Sequence, residues 1–196
     1  MVIGLTGGIG SGKSTIVKMF SKFKNIAIYI ADDEAKKLMS SSLKIKAQLI
    51  SGFGNKTYVN NKLNKPYLAN IVFNDKQKLT ILNTIVHPVV NDHFKDFISK
   101  NTDKDYILYE NAILFENGSN IFCDKIITVT APKNIRIQRV LKRDNSTIAA
   151  VESRIKNQWN ETKKTLQSNY IIENSTLSKS ETQTLRIHNI LTKKSK

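Results

Sequence analysis

Near its start the chain reads Gly7-Gly8-Ile9-Gly10-Ser11-Gly12-Lys13-Ser14-Thr15. From Gly7 to Ser14 this fits the spacing G-x-x-x-x-G-K-[ST] of a loop that cradles phosphate. The four glycines let the backbone turn sharply and approach an anion with no Cβ in the way. Successive N–H groups then point inward, and the following helix adds its positive N-terminal end to the same charge. Lys13 is long enough to bridge β- and γ-phosphates, and the Ser14 hydroxyl is a ligand for Mg²⁺. The flanks agree. Val2-Ile3-Gly4-Leu5-Thr6 reads as a short buried strand, and Ile16, Val17, Phe20 and Phe23 form a helical stripe. Strand, glycine loop and helix in that order separate this loop from a turn that matches by chance, and they call for an α/β fold with a parallel sheet.

Composition narrows the class. The 196 residues suit one domain with an inserted subdomain, and 40% hydrophobic content is enough for an ordinary core. No run of about 18 apolar residues marks a membrane span. The single Cys123 rules out an internal disulfide and suits a reducing compartment. There is no His/Cys cluster at metal-ligand spacing. A cytoplasmic protein with no membrane partner is the expectation. The formal charge of +15 leaves two readings open. One is a nucleotide-regulated nucleic-acid-binding protein. The other is a lysine-rich chain acting on anionic small molecules. Lysine is spread along the whole sequence and no basic run is interleaved with aromatics, so no nucleic-acid partner is expected.

Further along, Asn25–Ala31 is a second buried strand, ending at Asp32-Asp33-Glu34. Strand carboxyl ends line the ligand crevice of an open parallel sheet, so these acids are placed for phosphoryl transfer, as a base toward an attacking hydroxyl or beside the metal. Asp32 could equally be the cap of a helix over Asp33–Met39. Residues 40–64 are polar and punctuated by Gly52-Phe53-Gly54 and Asn60-Asn61, and no strand is expected there. From Pro66 the pattern is helical, with a second run from Leu79 to Phe97 that Pro88 is expected to break or kink. Residues 43–100 thus read as a helical insertion able to hold a phosphate acceptor. Asp105–Glu110 is a third strand ending in an acid, with Glu110 a possible metal neighbour. Lys125–Thr130 is a fourth strand.

The helix over Lys133–Arg143 carries Arg136, Arg139 and Arg143 on one face, three and four residues apart. Arginine is suited to bidentate phosphate contacts. A further helix, from Asp144-Asn145-Ser146-Thr147 to about Leu166, carries Arg154 and Gln158. The pair reads as a helical lid over the transferring phosphate, or else as a solvated basic face. Tyr170–Ile172 is a fifth strand and Ser178–Leu191 a terminal helix, followed by a fraying tail at 193–196. His93 and His188 carry no partner signature and read as surface or packing residues. Trp159 reads as packing the second of these helices to the body.

The landmarks, taken in order, resemble the dephospho-CoA kinase family. Leu5–Thr15 has the family's form of the phosphate loop. Ala31-Asp32 followed by Ala35-Lys36 falls where the family has Asp-Ala-Asp and then Ala-Arg. Leu68, Val72-Phe73 and His87-Pro88 resemble its acceptor-binding segment, and Ile113-Leu114-Phe115-Glu116 its Pro-Leu-Leu-Phe-Glu stretch. Arg139, Arg143-Asp144, Arg154 and Gln158 resemble its lid, and Ile172 and Asn174 its last strand. The resemblance spans residues 2–175.

It implies a P-loop NTPase fold: a five-stranded parallel sheet flanked by helices, with a helical acceptor-binding insertion at about 40–100 and a lid at about 133–165. The core would be 1–39, 101–132 and 166–196. It implies transfer of the γ-phosphoryl of ATP to the ribose 3′-hydroxyl of dephospho-coenzyme A, with Mg²⁺, by a monomer or weak homo-oligomer. Asp32, Lys13, Arg139 and Arg143 would be catalytic. Gly8, Gly10, Ser11, Gly12, Lys13, Ser14, Thr15, Arg139 and Asn174 would bind ATP. Asp32, Lys65, His87, Glu116, Arg154 and Gln158 would bind the acceptor, and Ser14, with Glu110, would serve the metal. Several positions depart from the pattern: Ile30 replaces a frequent Asp, Lys36 and Lys65 stand where Arg is common, Ala112 replaces Pro and Ser175 replaces Gly. Another small-molecule or nucleoside monophosphate kinase of the same fold remains the alternative.

Overall fold

The structure is a computed structural model that describes residues 1–193, with the side chains of residues 73 and 74 left aside. Of the tail expected to fray, 194–196 lie outside the described residues. The chain divides into two compact units, one formed by Met1–Tyr29 with Asp103–Lys196 and the other by Ile30–Thr102.

The first unit holds a five-stranded sheet. Its strands are β1 (Val2–Thr6), β2 (Ile26–Ile30), β5 (Tyr106–Glu110), β6 (Lys125–Thr130) and β7 (Tyr170–Glu173), in the order β2-β5-β1-β6-β7. β1 runs parallel to both β5 and β6, with Ile3 opposite Leu108 and Leu5 opposite Ile127. β6 runs parallel to β7. Every residue of β1 and β5 is buried, as expected of strands covered on both faces. At the edge of the sheet, β7 buries only Ile172 fully. The covering helices include α1 (Lys13–Phe20) and α9 (Leu177–Lys193), which pack on each other. Because the strands are parallel, Thr6, Glu110, Thr130 and Glu173 end them on the same side, and the phosphate loop leaves β1 there.

In the second unit, α2 (Ala31–Ser41), α3 (Leu43–Phe53), α4 (Lys65–Asn74) and α5 (Lys76–Ser99) surround a core of Ile45, Leu49, Phe53, Leu68, Val86, Val90 and Phe94. Side chains start three of these helices. The Ser42 hydroxyl accepts from Ile45 N, Asn64 Oδ1 from Tyr67 N, and Asp75 Oδ1 from both Gln77 N and Lys78 N.

Three local expectations fail here and in the first unit. Residues 40–64 do contain strands, the two-residue β3 (Tyr58–Val59) and β4 (Lys62–Leu63), paired antiparallel across Asn60-Asn61. Both asparagines adopt positive φ (49° and 64°), which closes a tight hairpin. Two residues per strand are too few to display an alternating pattern. Of the break or kink expected at Pro88, the break does not occur: α5 runs through it, 24 residues in all. Pro88 and Thr84, whose carbonyl loses its donor, are both exposed, so water can replace the missing N–H. Finally, the helix expected to reach Leu166 is two: α7 (Ile148–Lys156) and α8 (Glu161–Leu166). Asn160 Oδ1 accepts from Lys163 N at 2.7 Å and starts α8 afresh.

Because Pro88 occupies an exposed helix interior, replacing it with alanine restores one backbone bond. Pro88→Ala is expected to raise stability by up to about 3 kcal/mol, the helix-interior penalty of proline, read as a higher urea midpoint at unchanged slope.

Candidate active site

The phosphate loop joins β1 to α1. Gly12 is the N-cap of α1 and has φ 92°, a left-handed conformation that glycine adopts without strain. Gly8 is fixed by proximity, since a Cβ there would overlap the Arg136 guanidinium. Lys13 Nζ donates to Gly7 O at 2.9 Å, folding the lysine back along the loop. Ser14 is exposed at the start of α1, and Ser11 is fully buried with its hydroxyl unpartnered.

Side chains from the helix α6 (Lys133–Asp144) hold this loop from outside. Arg136 is 6% exposed; its Nε donates to Ile9 O at 2.9 Å and its guanidinium pairs with Glu161 at 3.4 Å. Arg139 donates to Ser11 O at 3.3 Å and to Asn174 O at 3.0 Å. Asn174, just past β7, donates from Nδ2 to Ser11 O at 2.8 Å, while its Oδ1 accepts from the buried Ser180 hydroxyl. Gln158 Oε1 accepts from Ile9 N at 2.8 Å. The arginine stripe therefore divides. Arg136 and Arg139 grip loop carbonyls, whereas Arg143 is exposed and forks onto Asp144 at 2.7 and 3.1 Å. Arg154 meets the same carboxylate at 3.0 Å. Hydrogen bonding to Arg143, then its charge and that of Arg154, holds the Asp144 carboxyl below its usual range.

A second cluster follows β5. Glu116 Oε1 accepts from Trp159 N and from Lys164 Nζ, each at 2.9 Å, and Lys164 Nζ also donates to Ala112 O at 3.0 Å. The Lys164 side chain is 1% exposed. Trp159 stacks on Phe115, centroids 5.5 Å apart, with Lys163 Nζ 3.5 Å from its ring centre.

The family model for dephospho-CoA kinase matches residues 1–180. The chain belongs to the dephospho-CoA kinase family. It is 38% identical to the dephospho-CoA kinase of Fusobacterium nucleatum over 176 residues, covering 89% of this chain and 90% of that one. With the dephospho-CoA kinase of Bacteroides fragilis it shares 35% over 172 residues, 88% and 83% of the two chains. Among solved structures, TT1252 from Thermus thermophilus superposes with a TM-score of 0.85 at 26% identity, covering 97% of this chain and 96% of that one. The fold is that of P-loop kinases.

Of the residues expected from sequence to serve this family's site, Gly8, Gly10, Ser11, Gly12, Lys13, Ser14 and Thr15 lie in the loop and the first turn of α1, with Arg139 and Asn174 against Ser11. Gln158 joins them through Ile9. Glu116 stands apart, bound to Trp159 and Lys164, and Arg143 and Arg154 share Asp144. Glu110 is buried at the end of β5. Asp32, Lys65 and His87 belong to the second unit. Asp32 is exposed in the first turn of α2 and does not cap it: the N-cap is Ile30, with no side-chain cap bond. Lys65 begins α4. His87 is half-buried in α5, and burial lowers its pKa below the ordinary histidine value, so it is neutral at pH 7.

Sequence reasoning did not single out Glu161 or Lys164. No signal separates Lys164 from the chain's other cations, because its burial depends on an acid 48 positions earlier reaching it. His188 has a partner after all: Nδ1 lies 2.8 Å from the Tyr106 hydroxyl, and its ring stacks on Phe23.

Removing one member of a buried ion pair strands the other charge. Lys164→Met is expected to cost about 3–5 kcal/mol, measured by urea denaturation. The double change with Glu116→Leu should recover much of that loss.

Proposed function

We propose that this chain transfers the γ-phosphoryl of ATP to the ribose 3′-hydroxyl of dephospho-coenzyme A, giving coenzyme A and ADP, the last step of coenzyme A synthesis. The observation that carries the reading is a phosphate loop whose backbone is held for an anion, in a chain of the dephospho-CoA kinase family. The loop amides at Gly10 and Gly12, the N-terminus of α1 and Lys13 would bind the ATP phosphates. Lys13 would turn from Gly7 O toward the β- and γ-oxygens as they enter. Asp32 would accept the proton of the attacking ribose hydroxyl and orient its lone pair along the line of transfer. Its exposure and freedom from a capping role suit a carboxylate available to a substrate.

Arg143 and Arg154, paired by Asp144 with their guanidinium heads partly in solvent, would take up charge on the transferring group or on the acceptor's phosphates. Lys65 would meet the acceptor as a point charge, and His87 as a neutral imidazole able to donate or accept a hydrogen bond. A closing movement of α6–α8 would exclude water, which otherwise competes as acceptor. A cytoplasmic setting and a monomer or weak homo-oligomer accompany this reading.

Magnesium fits the donor set. Ser14 and Glu110 offer hard oxygen ligands, and among the described residues no group of three or more His, Cys, Asp or Glu forms a closed cage. Such a site suits an ion completed by phosphate oxygens and water. Held by Ser14 and Glu110, Mg²⁺ would supply positive charge that offsets that of the phosphates.

The test is ADP release with dephospho-CoA compared with AMP, CMP, shikimate and gluconate. Dephospho-CoA should be turned over fastest, and a higher rate with any of the others would overturn the reading. Lys13→Ala should lower kcat/KM by about 10²-fold or more, the scale of losing one charge-stabilising donor. Asp32→Asn should lower kcat by about 10²–10⁴-fold, the contribution of a positioned base, with ADP affinity changed far less. An intact kcat in Asp32→Asn would remove Asp32 from the chemistry.

A further inference from the structure

A loop whose N–H groups converge on an anion leaves its carbonyls facing outward. Here two of those carbonyls, on Ile9 and Ser11, are taken by side chains of α6 three residues apart, Arg136 and Arg139. Ile9 is unusual among them, because both of its polar backbone groups are engaged by side chains. Its C=O accepts from Arg136 Nε at 2.9 Å, and its N–H donates to Gln158 Oε1 at 2.8 Å. These partners lie 127 and 149 positions away in sequence. The Ile9 amide is thereby committed to protein by a side chain, and the Ser11 amide is committed within the loop, donating to Gly8 O at 3.1 Å.

Arg136 is built in. Its side chain is 7% exposed, its guanidinium lies against Gly8 where a Cβ would collide, and it pairs with Glu161. Glu161 is itself oriented by Ala131 N, which donates to Oε1 at 3.1 Å. A charge so enclosed, with one nitrogen on a backbone carbonyl and another on a carboxylate, is used for geometry. The arginine fork supplies both directions at once and a lysine ammonium does not.

We propose that Arg136 and Gln158 are positioning residues that clamp the Ile9 peptide groups from two sides and preorganise the phosphate loop for nucleotide. Neither acts as a contact to the transferring group or the acceptor. The proposal rests on the reading of the loop as the ATP site. It also assigns a use to the joint between α7 and α8. Gln158 sits in that joint beside Trp159, whose N–H is tied to Glu116. The joint that carries the clamp is therefore anchored on the segment after β5.

The test combines calorimetric ADP binding with steady-state kinetics for wild type, Arg136→Lys, Gln158→Ala and the double variant. Each single variant is expected to weaken ADP and to raise KM for ATP by about tenfold, the loss of one strong hydrogen bond. KM for dephospho-CoA should stay within about twofold of wild type if both side chains serve Ile9 alone, whereas the acceptor role that the family resemblance gives Gln158 would raise it. Both changes release the same residue, so the double variant should lose less than the product of the two single losses. Wild-type ADP affinity in Arg136→Lys would overturn the proposal, since charge alone would then suffice. So would a Gln158→Ala variant that raises KM for dephospho-CoA and leaves ADP binding intact, or fully multiplicative losses. If Arg136→Lys fails to fold by circular dichroism, Gln158→Ala decides on the same comparison. A wild type that binds ADP but does not phosphorylate dephospho-CoA would refute the acceptor assignment and leave the clamp standing on the ADP measurements. A wild type that does not bind ADP would refute both.

Discussion

Backbone groups turned toward a ligand dictate what must lie behind them. An anion nest is made of N–H groups, and the carbonyls of the same residues then point the other way and need donors of their own. In this chain those donors come from far along the sequence. Arg136 reaches Ile9, while Arg139 and Asn174 both reach Ser11. The α6 helix, the end of β7 and the α7–α8 joint are thus all bound to nine residues near the N-terminus. A loop of glycines has little to hold it in one shape, and the cost of ordering it is met by this ring of side chains.

The division of the arginine stripe follows from that requirement. Three arginines on one helical face could all have pointed at a ligand. The two nearer the start of α6 lie against the loop, where carbonyls offer better partners than water. Arg143, one turn further on, passes the loop and meets Asp144 instead. A carboxylate shared between Arg143 and Arg154 keeps two cations near one another. The bridge is exposed and is worth little by itself.

How much could be read in advance differs by element. The strands β1, β5 and β6 stood out because buried parallel strands are unbroken apolar runs, and each was recognisable to within a residue. The hairpin at Tyr58–Leu63 could not show periodicity in two-residue strands, although Asn60-Asn61 marked its turn. Pro88 was misleading, because the penalty of proline depends on whether water can reach the orphaned carbonyl, and exposure is not written in the local sequence. The break between α7 and α8 was legible in principle: Asn160 is a good capping residue, but the apolar spacing on either side masked it. Lys164 shows the opposite limit, a lysine with nothing in its neighbours to say that it is buried.

The sequence by itself determined the phosphate loop, the order of strands and helices around it, and the residue types available for phosphoryl transfer. It could do so because a glycine loop between strand and helix depends on contacts within about twenty residues, and because the ordered landmarks from Leu5 to Asn174 resemble a single family. Tertiary structure decided which arginine touches what. Arg136, Arg139 and Arg143 are equivalent by type and spacing. Only the approach of Ile9 and Ser11 from the start of the chain makes the first two supports of the loop, while the third turns to its own neighbour Asp144 and stays in solvent. Partners over a hundred positions apart are chosen by packing, and no local pattern carries that choice.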